Sequence, residues 1–187
     1  AMRARLGIML SGSGSTYANL VDEIVAGRLD AEIAVVVSSR ADAGGVKRAQ
    51  HYGHPVVVAS VATEVTAALL AHKCAAVAMC GWMRFYDPPQ ALQGRVINIH
   101  PSLLPAFGGK GMYGIYVHRA VLAAGEHETG CTAHVVSGDY DAGPQLGQAR
   151  VPVLTDDTPE TLQARVQMAE RELYPQVITQ LIAQLRR

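Results

Sequence analysis

Runs of β-branched and apolar residues recur at 6–10, 33–37, 56–58, 75–79 and 95–99, separated by stretches of helical periodicity. Each run predicts a strand. Most are apolar without a break, and a strand with no polar positions is one buried on both faces, as in a parallel sheet covered by helices. The alternation of strand with helix, expected at 17–25, 45–52 and 63–72, leads to the same architecture. Beyond residue 100 the pattern changes. Two further runs, 130–136 and 145–151, flank a turn-rich segment at 137–143 and predict a hairpin-like extension. The chain then closes in a long helix. Thr158 is a natural N-cap, Pro159 suits the first turn, and Leu162, Val166, Ala169 and Leu173 recur every three to four residues. Pro175 is expected to kink or interrupt it. The glycine-rich stretch 106–113 predicts a mobile loop. Together these elements predict an α/β fold: a Rossmann-like, mostly parallel sheet with helices on both faces, a mixed-sheet C-terminal extension and a long C-terminal helix.

Composition narrows the function classes. A chain of 187 residues predicts a single domain over 2–187, and 49% hydrophobic against 17% charged residues describes a chain that forms a core. Sixteen Lys and Arg balance sixteen Asp and Glu, with no basic block of the kind that binds nucleic acid. The three cysteines lack a CxxC spacing, so neither a disulfide framework nor a zinc site is expected, and a reducing cytoplasm fits best. The longest charge-free apolar stretch, 74–83, is well short of the ~20 residues that span a bilayer, so no membrane association is expected. A homodimer stays open, because an apolar helix face reads the same whether it packs within one chain or across two.

Three segments carry candidate chemistry. The first strand runs into Ser11-Gly-Ser-Gly-Ser15 and then a helix, which aims backbone N–H groups and a helix N-terminus at one spot. It lacks the Lys-Ser/Thr of a Walker A loop, and Tyr17 stands where a dinucleotide fingerprint needs glycine. A monophosphate site is preferred to a plain turn, with Gly14, Ser15 and Thr16 nearest the anion. In Asn98-Ile-His100-Pro101, alternation along a strand puts Asn98 and His100 on one side, and Pro101 biases His100 toward extended backbone. Two polar groups at the carboxyl end of such a strand suit a catalytic acid or base. Asp141, in a turn-rich segment, becomes its partner only if the fold brings it beside His100. Its charge is then expected to raise the histidine pKa toward or beyond neutrality. The segment 82–86, just after the fourth strand, is placed to line a slot for a flat ring. His51, His54, His118, His127 and His134 show no ligand spacing and read as surface or core residues, and no metal is expected.

The motif Asn98-x-His100-Pro-Ser-Leu-Leu-Pro105, followed by Asp141-x-Gly-Pro144, resembles the folate-dependent formyltransferases. The opening glycine loop and the closing Glu170-Arg-Glu-Leu-Tyr-Pro175 are most similar to the branch that acts on glycinamide ribonucleotide. That resemblance implies transfer of the formyl group of 10-formyltetrahydrofolate, a co-substrate, to the amine of 5'-phosphoribosylglycinamide in purine biosynthesis, through a tetrahedral intermediate. It implies a phosphate-binding half over about 2–95 and a catalytic and folate-binding half over about 96–187. Gly14, Ser15, Thr16 and Glu170 then match positions that hold the ribonucleotide. Met83, Arg84, Phe85 and Tyr86, with Asn98, match the folate-binding positions, and Asn98, His100 and Asp141 match the catalytic trio. The partners implied are small molecules. The stretch 108–113 replaces a shorter loop of other members and is expected to close over the substrates. Competing readings are another folate-dependent formyltransferase, a formyltetrahydrofolate deformylase, or a nucleotide-binding module without catalysis.

Overall fold

The computed structural model describes residues 2–187. Its strands are β1 (Ala4–Leu10), β2 (Ala31–Ser38), β3 (Val56–Val58), β4 (Ala76–Met79), β5 (Val96–His100), β6 (Glu128–Val135) and β7 (Gln145–Pro152). The helices are α1 (Ser15–Val25), α2 (Gly44–Tyr52), α3 (Ala62–Ala71), α4 (Ile115–Ala123) and α5 (Pro159–Leu185). All seven strands share one sheet in the order β3-β2-β1-β4-β5-β6-β7. The first five run parallel, and β6 and β7 are added antiparallel, as the change of pattern beyond residue 100 predicts. No described helix is long and apolar enough to cross a membrane.

The unbroken apolar strands do bury both faces. On β1, Leu6, Ile8 and Leu10 pack with Tyr17 and Leu20 of α1 and with Ile178 of α5, whereas Met9 faces Val65 and Leu69 of α3. A third cluster joins α4, β6 and α5 through Val117, Val121, Cys131, Leu162 and Val166. The helix α4 has no counterpart in the expectations from sequence. Its segment, IYVHRAVLA, is short and apolar nearly all round, and its N-cap is Gly114 at φ 54°, so neither a clear stripe nor a Ser, Thr, Asp or Asn cap announces it.

Helix α5 starts where the sequence indicates, with Thr158 accepting from the Thr161 N–H and Pro159 in the first turn. Of the two expected outcomes at Pro175, interruption does not occur. A proline leaves the carbonyl four residues earlier without its donor, and here that carbonyl, on Arg171, accepts from Asn19 Nδ2 of α1 at 3.2 Å. A neighbouring helix thus supplies the missing donor, and α5 continues for 27 residues.

Strand β4 pairs with β5 over only Val77↔Val96 and Ala78↔Ile97, after which the two part toward their carboxyl ends. Tyr174 of α5, fully buried, fills the split, and its hydroxyl donates to the carbonyls of Met79 (2.8 Å) and Ile97 (3.1 Å). Removing a buried donor while leaving its acceptors costs about 1–3 kcal/mol. Tyr174→Phe is therefore expected to lower unfolding stability by that amount in urea titration with the m-value unchanged, and an unaltered midpoint would show that the hydroxyl does not tie α5 to the sheet.

Candidate active site

The carboxyl ends of β1, β4 and β5 open into a cleft of about 530 Å³. At one end lies the glycine loop. Gly14, the N-cap of α1, has φ 75°, and a Cβ there would stand 2.8 Å from Gly45 Cα. Glycine is needed for both the backbone conformation and the close approach of α2. The loop is stitched to α2 by Gly45 N–H donating to the Gly12 carbonyl (3.0 Å) and Arg48 Nε donating to the Ser13 carbonyl (2.8 Å). With those carbonyls turned toward α2, the first-turn N–H groups of α1, at Ser15, Thr16 and Tyr17, have no intrahelical acceptors and are available to an anion. Glu170 and Arg171 of α5 line the same cleft.

The loop is also tied to the segment after β4. Ser11 N–H donates to the Gly81 carbonyl (3.0 Å), and Ser11 Oγ accepts from the Met83 N–H (2.9 Å) and the Ser39 hydroxyl (2.6 Å). Beyond Met83, residues Arg84, Phe85 and Tyr86 line a second, smaller slot of about 80 Å³. Phe85 is half exposed and meets Tyr140 edge to face, with ring centroids 5.5 Å apart. Tyr86 differs. Its side chain is buried in the α3 core cluster with its hydroxyl hydrogen-bonded to Thr66 at 2.7 Å, so only its backbone is left for a ligand.

Asn98 and Trp82 line both cavities. Asn98 and His100 point to the same side of β5, as alternation predicts, and Asp141 does arrive beside His100: Nδ1 lies 3.5 Å from Asp141 Oδ1. The fold adds a residue that the sequence reading set aside. His134 is the cross-strand partner of Asn98 on β6, and its Nε2 lies 3.5 Å from the same Asp141 oxygen and 3.4 Å from Asn98 Nδ2. Only strand register could have revealed it. His118 on α4 is also buried at the cleft, and its Nδ1 has no partner among the described residues. The loop over 106–113 is pinned at this point, because the Phe107 carbonyl accepts from His100 Nε2 (2.9 Å) and the Gly109 N–H donates to Asp141 Oδ2 (3.0 Å).

One electrostatic expectation is overturned. Burial lowers the His100 pKa below its ordinary value; Asp141 and the Phe107 hydrogen bond pull upward without overcoming it. A residue only 4% exposed has lost the water that would solvate an imidazolium, and a carboxylate 3.5 Å away returns part of that loss. Burial alone would raise Asp141, but the His134 hydrogen bond, the attraction of His100 whenever it is protonated, and the Gly109 amide together hold it below the usual carboxylate value. At neutral pH the free protein therefore carries neutral His100 beside ionised Asp141.

Glu170 behaves in the opposite sense: burial pushes its carboxyl up to about 7, against the pull of Arg171. A folded pKa above the unfolded one means that the native state binds the proton more tightly. The resulting stabilisation is complete below the unfolded value and is lost as pH rises through about 7. Glu170→Gln, which cannot ionise, is expected to raise Tm by roughly 7–14 °C at pH 8 and to leave it nearly unchanged at pH 4.5. Scanning calorimetry at both pH values checks this, and equal shifts would refute it.

A family model described as formyl transferase matches residues 4–178. The chain is 36% identical over 188 residues to the chloroplastic phosphoribosylglycinamide formyltransferase of Arabidopsis thaliana, covering 94% of this chain and 64% of that protein. It is 33% identical over 183 residues to the Escherichia coli phosphoribosylglycinamide formyltransferase, covering 92% of this chain and 84% of that protein. The crystal structure of glycinamide ribonucleotide transformylase 1 from Symbiobacterium toebii superimposes with a TM-score of 0.88 at 34% identity, covering 98% of this chain and 89% of that one. This chain spans just under two thirds of the length of the plant relatives it matches. The match through nearly every element of the sheet, together with 33% identity across most of a bacterial relative, shows that the chain belongs to the formyl transferase family.

Proposed function

We propose that this protein transfers the formyl group of 10-formyltetrahydrofolate to the amine of 5'-phosphoribosylglycinamide in purine biosynthesis. The observation that carries the reading is the position of Asn98 at the junction of two cavities, one reaching the glycine loop and the other the slot at 84–86. A phosphorylated acceptor and a flat-ringed donor entering from those two sides would meet at Asn98 and His100. The names of the relatives favour the same acceptor.

In this reading Gly14, Ser15 and Thr16 hold the ribonucleotide phosphate and Glu170 its ribose. Met83, Arg84 and Phe85, with the backbone of Tyr86, hold the folate. The amine nitrogen attacks the formyl carbon, and the carbonyl oxygen becomes an oxyanion in the tetrahedral intermediate. The Asn98 amide donates to that oxygen. A donor already in place stabilises the charge without reorganising, and losing one such donor typically costs ~2.7–4 kcal/mol. His100, neutral in the free protein, takes a proton from the attacking amine and returns it to the departing N10. Asp141 stabilises the imidazolium that exists between the two transfers. Cys74, Cys80 and Cys131 are unpaired, which is consistent with a cytoplasmic protein.

Mixing the protein with 10-formyltetrahydrofolate and following deformylated folate by absorbance tests the proposal. Release is expected only with glycinamide ribonucleotide present, to fall by about 10²–10³ in kcat for Asn98→Ala, and to be lost in His100→Ala. Release without the ribonucleotide would instead identify a deformylase. No release under either condition, with ribonucleotide still bound, would favour a binding module.

A further inference from the structure

The carbonyl that Pro175 frees on α5 belongs to Arg171, and its capture by Asn19 Nδ2 at 3.2 Å fixes where the Arg171 side chain starts. Asn19 stands four residues after Ser15, the first residue of α1, and so about 6 Å along the helix axis from it. The first turn of α1 is therefore within reach of an extended arginine side chain. Arg171 lines the cleft and also a second, polar groove of about 690 Å³ between α1 and α5, bordered by Glu23 and Glu172. It stands at the divide between the two.

The cleft is short of positive charge. Among the described residues, Arg40 and Arg171 are the only Lys or Arg that line it. Arg40 is committed elsewhere, because its Nε and Nη2 donate to the two oxygens of Asp42 at 3.0 Å each. Arg171 is exposed and forms no ion pair among the described residues. Gln163 and Gln167, which line the cleft one and two turns before it on α5, are neutral. A phosphate monoester carries about −1.5 to −2 charges at neutral pH, and a helix N-terminus offers only about +0.5. The first turn of α1 by itself leaves most of that charge unmatched, and Glu170 adds to the repulsion once it ionises above about pH 7. His118 shows independently that a polar ligand completes this cleft: it is 1% exposed, lines the wall, and its Nδ1 has no partner among the described residues.

We propose that Arg171 is the residue that selects a phosphorylated acceptor: its guanidinium pairs with the phosphate monoester seated on the first turn of α1, and Asn19, by binding the Arg171 carbonyl, is the residue that positions it. This rests on the acceptor site proposed above and names the charge that the site otherwise lacks. A guanidinium offers two parallel N–H donors to two phosphate oxygens, while the N–H groups of α1 serve the remaining one. No bond to the phosphate forms or breaks during formyl transfer. Ground state and transition state hold it equally, so the contribution of Arg171 falls on binding and leaves the chemical step alone.

The test compares calorimetric binding of glycinamide ribonucleotide and of the same compound without its 5'-phosphate to the full chain, with no folate present. Arg171→Gln is expected to weaken the ribonucleotide by about 10–100-fold and the dephosphorylated compound by no more than about twofold. Arg171→Lys, which keeps the charge and loses the fork, is expected to fall between wild type and Arg171→Gln. Asn19→Ala is expected to raise the ribonucleotide Kd by about three- to tenfold. In the formyl-transfer assay the same losses are expected in KM, with kcat within about twofold of wild type. An unchanged ribonucleotide Kd in Arg171→Gln would overturn the proposal. Equal losses for the two compounds would overturn it as well, because Arg171 would then act through the fold, and so would a wild type that does not prefer the phosphorylated compound. Should Arg171→Gln fail to fold, the comparison of the two compounds in Arg171→Lys decides the matter. Binding that depends on Arg171 in a protein that transfers no formyl group would remove the proposed reaction and leave the phosphate role of Arg171 standing.

Discussion

A parallel sheet that is to hold a ligand at its carboxyl edge must part its strands there, and parted strands expose carbonyls with no partners. In this protein the problem falls between β4 and β5, and the Tyr174 hydroxyl solves it by donating to both Met79 and Ile97. The consequences spread outward. Burying Tyr174 fixes α5 against the sheet, and one turn earlier on the same helix Glu170 is delivered to the cleft. On the β5 side, the residue after Ile97 is Asn98, which both cavities share. The tyrosine thus lies beneath the proposed reaction centre without touching it.

Burial dominates the electrostatics of the centre. A histidine beside an aspartate is readily read as an imidazolium, yet the desolvation of His100 outweighs the attraction of a carboxylate at 3.5 Å. The outcome suits the proposed chemistry. A neutral imidazole can accept the proton of an attacking amine, whereas an imidazolium could only donate. Asp141, already ionised and held by the Gly109 amide, needs no rearrangement to stabilise the charge when it forms.

Much of the surrounding structure holds short loops in conformations that most side chains avoid. Gly14, Phe107, Gly109 and Asp141 all have positive φ, and each lies at a point where backbone meets the cleft or the His100–Asp141 pair. Neighbouring elements hold them. Arg48 and Gly45 of α2 hold the glycine loop, and Thr132 ties the turn after β5 by donating to Ser102 and accepting from Leu104 N–H. The serine and leucines of the His-Pro-Ser-Leu-Leu-Pro motif are in this sense scaffolding for the histidine that opens it.

Local pattern alone determined the sheet of unbroken apolar strands, the antiparallel addition, the cap at Thr158 and the shared side of Asn98 and His100, because each depends on residue type and on a period of two or 3.6. It could not announce α4, whose apolar residues surround the whole helix, nor show that α5 survives Pro175, because the rescuing Asn19 lies 152 residues away in sequence. Tertiary structure alone decided the meeting of His100 and His134 at one oxygen of Asp141, through the register of β6 on β5 and the turn that returns Asp141 from β6. It also decided the protonation of His100, because a pKa answers to the water excluded around a group, and exclusion of water is a property of the packed fold.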